Sequence, residues 1–153
     1  GIAQDELRHT NQYIAQVERL GGTFGEHPVR DWFWQRFADV RTPLQFVSLM
    51  GIGLEGANLD HADLWAARFR EVGDEEGARC QESVGREEEP HVAFAVQWFE
   101  RWAGPLEFNT WPAQLPAPLT PTVMRGPALQ RDARARCGQS EAFLQELDAW
   151  DRP

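Results

Sequence analysis

The chain has 153 residues, 42% of them hydrophobic, with seven Trp and nine Phe, enough for one domain with a sizeable core and too aromatic for a disordered chain. Its net charge of −9 argues against nucleic acid or an anionic membrane surface as partner. All fifteen basic residues are Arg, which excludes lysine chemistry such as a Schiff base.

Residues 3–20 read as a helix, with Leu7, Ile14 and Val17 at helical spacing and Gly21-Gly22 as its stop. Glu6, His9, Tyr13 and Leu20 form a neighbouring stripe in which Glu6 and His9, three residues apart, share a face. Two solvated side chains near a frayed terminus would give the same pattern. After a glycine-rich loop, Pro28 suits the first position of a short helix to about Val40, with Trp32, Phe33 and Phe37 as its buried side. Thr42 is an N-cap and Pro43 a first helical residue for a long helix to Val72, with a break expected near Asp60-His61. Its inward stripe runs Leu44, Val47, Ser48, Gly51, Glu55, Asn58, Ala62, Trp65. Gly51, Gly53 and Gly56 each weaken a helix by about 1 kcal/mol relative to Ala. Small residues around one acid imply a close helix approach or room for something bound; an outward-facing Glu55 is the alternative.

Gly73-Asp74 makes the next turn, and Glu75 to about Trp102 reads as a helix with Val92, Ala95, Val96, Phe99 and Trp102 as its apolar stripe. Glu88 and His91 stand at the head of that stripe. Pro90 between them removes a backbone bond, so the helix is expected to bend there, with a bulge as one means; a helix beginning at Pro90 is the alternative. From 104 to 126 a proline-rich segment with Phe108, Trp111, Leu115 and Leu119 reads as an arm wrapped over the helices. A last helix is expected over Pro127–Cys137 and then Ser140–Trp150, with Ser140 as N-cap and Phe143, Leu144 and Leu147 facing inward.

The fold expected is therefore all-α: a helical bundle over 1–103, with 104–153 packing on the same domain. Cys80 and Cys137 have neither metal-site nor Cys-x-x-Cys spacing, so reduced thiols are the default, with pairing left open. No stretch reaches transmembrane length and no signal peptide is visible; the expected location is the cytoplasm, with no membrane partner. His27 and His61 read as surface residues in a loop and at the helix break. Asp60 and Asp63 read either as an outer shell around Glu55 or as a solvated turn.

Two Glu-x-x-His pairs, Glu6/His9 and Glu88/His91, plus a helical Glu55 are most of the ligand set of a carboxylate-bridged dimetal bundle. Glu55 and Glu88 would bridge two metal ions and His9 and His91 would each complete one. Tyr13 would tune such a site or pass electrons, unless it is an ordinary core residue.

The segments Ala3–His9, Leu54–Asp60, Glu87–Val92 and Gln97-Trp98-Phe99, with the tail Arg125-Gly126-Pro127 through Ala133-Arg134 to Gly138, resemble the ferritin-like proteins catalogued as domain of unknown function 455. The resemblance covers nearly the whole chain. It implies a ferritin-like four-helix bundle with metal ligands at Glu6, His9, Glu55, Glu88 and His91. Pro90 departs from the pattern, and the family's first helix, with its own ligand Glu, has no counterpart here. A further N-terminal helix is thus expected to be missing, removed by proteolysis or by design of the fragment. Its groove would be filled by a second copy or by the chain's own last helix, and the metal site would be incomplete or empty.

The function expected is that of a dimetal protein with two iron ions, or iron and manganese. If it is an enzyme, it is a non-haem di-iron oxidoreductase acting with oxygen on an unknown small molecule. The alternatives are a non-catalytic metal-binding scaffold and a helical interaction module with a vestigial site.

Overall fold

The computed structural model describes residues 1–151, the side chain of Phe33 excepted. The described residues form helices α1 (Ile2–Arg19), α2 (Trp32–Phe37), α3 (Pro43–Val47), α4 (Gly56–Glu71), α5 (Glu75–Ala103), α6 (Arg131–Arg136) and α7 (Glu141–Ala149), and no strand. A π-helical segment, Ser48–Glu55, joins α3 to α4, and 3₁₀ turns lie at Pro112–Gln114 and Pro121–Met124.

Caps set several boundaries. Thr42 Oγ1 accepts from the Gln45 amide at 3.1 Å, with Pro43 first in α3. Asp74 Oδ1 accepts from the Gly77 amide at 2.9 Å, and Ser140 Oγ from the Phe143 amide at 3.1 Å. Each satisfies an amide that the first helical turn leaves unpaired.

From Pro43 to Glu71 the chain stays helical, and the expected break at Asp60-His61 is absent. The departure comes earlier, where the hydrogen bonding widens to the π pattern. The reason is tertiary. The Trp111 indole N–H donates to the Ser48 carbonyl at 3.0 Å, and a Cβ on Gly53 would stand 2.6 Å from the Met124 sulfur. A Cβ on Gly51 would stand 2.2 Å from that of Ala95, so α5 approaches too closely for any other residue. The glycines thus serve close approach.

α5 is one unbroken helix through Pro90, with no new helix and no π bulge there. Its partners are antiparallel. Along the π segment and α4, Gly51 meets Ala95, Asn58 meets Glu88, and Ala62 meets Gly85. Along α1, Asp5 meets His91, His9 meets Glu87, and Arg19 meets Asp74. Val92, Ala95, Val96 and Phe99 are buried as the stripe predicts, whereas Trp102 is half exposed, as is Trp65 on α4.

The largest correction concerns α1. Its apolar stripe does not face the core: Leu7 is 63% exposed and Val17 37%, and the sole buried residue of α1 is His9. α1 docks through its polar face, because α5 meets it with the carboxylates of Glu76 and Glu87. The short second helix begins at Trp32 rather than Pro28, with Trp32 and Phe37 partly buried against the core; the expected burial of Phe33 lies outside the described side chains. Likewise the helix expected from Pro127 starts at Arg131.

The arm is not a loose strap. Phe108 and Trp111 meet Phe143 edge to face, and Leu115, Leu119 and Met124 join them, Val92 and Phe99 in one apolar cluster. Phe143, Leu144 and Leu147 point into it as expected. α7 is therefore committed to that core and does not fill a groove along α1. Both cysteines are free.

Asp60 and Arg134, both at 0% side-chain exposure, form a bidentate ion pair at 3.0 and 2.8 Å. Asp60 also accepts from the amides of Gly126 and Gln130, each at 2.8 Å, and Arg134 donates to the Met124 carbonyl and to Gln139. The buried charges are thus compensated, as burial demands, and they tie the tail to α4. Asp60 is neither an outer shell to Glu55 nor solvated; Asp63 is exposed. His27 is exposed, and His61 is half buried within α4. No described helix is long and apolar enough to cross a membrane.

Candidate metal centre

α1, the π segment and α5 each bring acid to one point. Donor atoms of Glu6, Glu55, Glu88 and His91 all lie within 4.8 Å of one another. Glu88 and His91, on one face of α5, are 4% and 2% exposed, and His91 Nδ1 lies 3.0 Å from Glu88 Oε2 and 3.2 Å from Glu6 Oε1. The geometry doubted because of Pro90 is intact, since the helix does not break. Glu55 reaches the cluster from the last position of the π segment. The fifth candidate, His9, is 3% exposed and sits beside them, its Nδ1 3.5 Å from both Glu6 Oε1 and Glu88 Oε1.

That Nδ1 is buried and has no hydrogen-bond partner. A buried, unpaired ring nitrogen aimed between two carboxylates is costly unless something else occupies it. The donor set fits a cation: oxygen and imidazole ligands suit iron, manganese or zinc. A cation there would also relieve the mutual repulsion of three glutamates.

Two carboxylates that the sequence reading missed complete the arrangement. Asp5 Oδ2 accepts from His91 Nε2 at 3.2 Å, and Glu87 Oε2 from His9 Nε2 at 2.9 Å. Each histidine is thus oriented by an acid from the opposite helix, leaving Nδ1 toward the cluster. Arg8 links the two, at 2.9 Å from Asp5 and 2.6 Å from Glu87. The signal was present as a doubled acid ahead of each pair, Asp5-Glu6-x-x-His9 and Glu87-Glu88-x-x-His91. Asn58 Nδ2 adds a donor to Glu88 Oε1 at 3.4 Å.

The electrostatics follow from this packing. Burial, then the charge of Glu88, pushes Glu55 up to about 7. Burial and the charge of Glu6 raise Glu88, against the opposing pull of the two histidines. Burial disfavours a charged His91, yet its hydrogen bond to Asp5 and the charges of Glu88 and Glu55 prevail and hold it above the ordinary imidazole range. The outer acids move the other way. The His91 and Arg8 hydrogen bonds lower Asp5, and those from Arg8 and His9 lower Glu87. Burial thus raises the inner acids Glu55 and Glu88, while hydrogen bonds lower the outer acids Asp5 and Glu87. Tyr13, 36% exposed and pushed up to about 12 chiefly by burial, stands at the surface rather than in the core.

No curated protein and no solved structure matches the chain closely enough to count as a relative. A family does, and across almost the whole length: residues 1–145 match the family described as Protein of unknown function (DUF455), to which the chain belongs.

Proposed function

We propose that the chain is a ferritin-like, carboxylate-bridged dimetal protein holding two iron ions, or iron and manganese, and acting as an oxygen-dependent oxidoreductase. Glu55 and Glu88 would bridge, His9 and His91 would each complete one metal, and Glu6 would bind from α1. The observation that carries this is the buried, unpartnered Nδ1 of His9, 3.5 Å from both Glu6 Oε1 and Glu88 Oε1, the two acids that Nδ1 of His91 also faces. Two irons held there by Glu6, His9, Glu55, Glu88 and His91 would supply one-electron redox steps and a binding site for dioxygen.

The chain's own contribution is orientation and proton control. Asp5 and Glu87 hold Nε2 of the two histidines, which leaves Nδ1 of His9 unpartnered and turns Nδ1 of His91 toward Glu88 in the cluster. The proton that burial favours on Glu55 would be released when positive charge enters. Five protein ligands for two metals leave positions open for oxygen and substrate, as a catalytic site requires.

The test is metal analysis of protein loaded anaerobically with Fe²⁺, followed by exposure to oxygen. Two irons per chain and oxygen-dependent spectral change support the reading, while iron that stays inert to oxygen favours the non-catalytic scaffold. An interaction module forming homodimers also has an observation behind it, in the exposure of Leu7, Leu20, Phe24 and Trp34. Sedimentation at several protein concentrations decides that question.

A further inference from the structure

Beside the cluster, α1, α3, the π segment and α5 enclose a groove of about 520 Å³. Its inner end is formed by Glu6, Glu55 and His91, and its walls include Ala3, Phe46, Met50 and Phe94. We propose that this groove is the substrate channel of the site and that its occupant is an uncharged, largely hydrocarbon molecule, aromatic or aliphatic, lying with one end against the metals. The inference rests on the dimetal reading.

Three features select that chemistry. The volume falls within the roughly 300–1,000 Å³ typical of small-molecule pockets. The walls are apolar apart from the three groups just named, and no arginine lines them. A phosphate or carboxylate on the substrate would therefore lose its water without gaining a partner. Finally, the wall aromatics are incompletely covered: Phe46 is 49% and Phe94 46% exposed, so a hydrocarbon laid between them removes apolar surface from water on both sides. A second copy of the chain fits less well. Any apolar side chain it seated here would strip water from the acidic inner end and offer it no donor, whereas a hydroxyl at the end of a small molecule would donate to those carboxylates.

The chain has two methionines, Met50 and Met124, so ¹³C-methyl methionine labelling gives one reporter in the groove and one in the core, Met124 being fully buried. Metal-free protein is titrated with 1-octanol and with 1-naphthol, and separately with octanoate and 1-naphthyl phosphate. The expected result is a saturable shift of the Met50 signal alone, with the anions binding roughly tenfold more weakly or worse. Ala3→Trp on α1 and Phe94→Glu on α5 should each abolish the shift while leaving metal stoichiometry unchanged. Full metal binding with a Met50 signal indifferent to both alcohols overturns the inference and leaves the metal site standing. A Met50 signal that instead follows protein concentration overturns it in favour of a second copy. A Met50 response in a chain that takes up no metal overturns the dimetal reading, and the occupant is then no substrate.

Discussion

Replacing Glu55 by Gln should stabilise the metal-free protein and disable the site, and the stabilisation should depend on pH. Glu55 titrates at about 7 in the fold against an ordinary 4.5. Its folded value is the higher one, so the fold retains a proton that the unfolded chain has already released. The associated stability is present in full below about pH 4.5 and is lost as pH rises through about 7. At about 1.4 kcal/mol per pH unit, a carboxylate that must ionise in place costs about 1 kcal/mol at pH 5 and about 3 kcal/mol at pH 8. Gln carries no such cost. For a chain of this length each kcal/mol moves Tm by about 2–4 °C, so Glu55→Gln should raise Tm by roughly 6–12 °C at pH 8 and by roughly 2–4 °C at pH 5. The assay is thermal unfolding by circular dichroism after treatment with chelator. The same variant should lose the rise in Tm that added Mn²⁺ gives the parent chain. A change in Tm that is equal at the two pH values, or a loss at pH 8, would refute the reasoning.

Glu87→Gln should weaken metal binding by about 10–100-fold, because His9 loses the acid that orients it; isothermal titration with Mn²⁺ measures this. Metal affinity should climb as pH rises through about 7, since Glu55 must shed its proton, and a flat profile would contradict the assignment. Asp60→Ala should cost about 3–5 kcal/mol in urea unfolding by stranding Arg134 in the core. Gly51→Ala should cost about 1–3 kcal/mol by forcing Ala95 away, read in the same assay.

What was legible in the sequence was what is local. Glu88 and His91 share a face because three residues on a helix do so wherever that helix packs, and Thr42 and Ser140 cap because the side chain reaches its own next turn. The face that α1 buries was misread for the opposite reason. Leu7 and Val17 have helical spacing, but whether they are covered depends on what α5 presents, and α5 presents acids. The π segment was invisible for the same cause: Gly51 and Gly53 signal room, while Trp111 and Met124, some sixty to seventy residues on, determine what fills it. Asp60 needed Arg134, 74 residues away, to become a buried anchor. Asp5 and Glu87 were within reach, since each precedes a candidate ligand, but their pairing crosses between antiparallel helices and follows only once those helices are aligned.

The most direct test of the central claim is the number of irons bound per chain after anaerobic loading, measured by elemental analysis on the parent chain, Glu88→Ala and His91→Ala. The account predicts two in the parent chain and loss of iron in both variants while their helical circular dichroism persists. Iron absent from the parent chain, or retained in full by both variants, would contradict it.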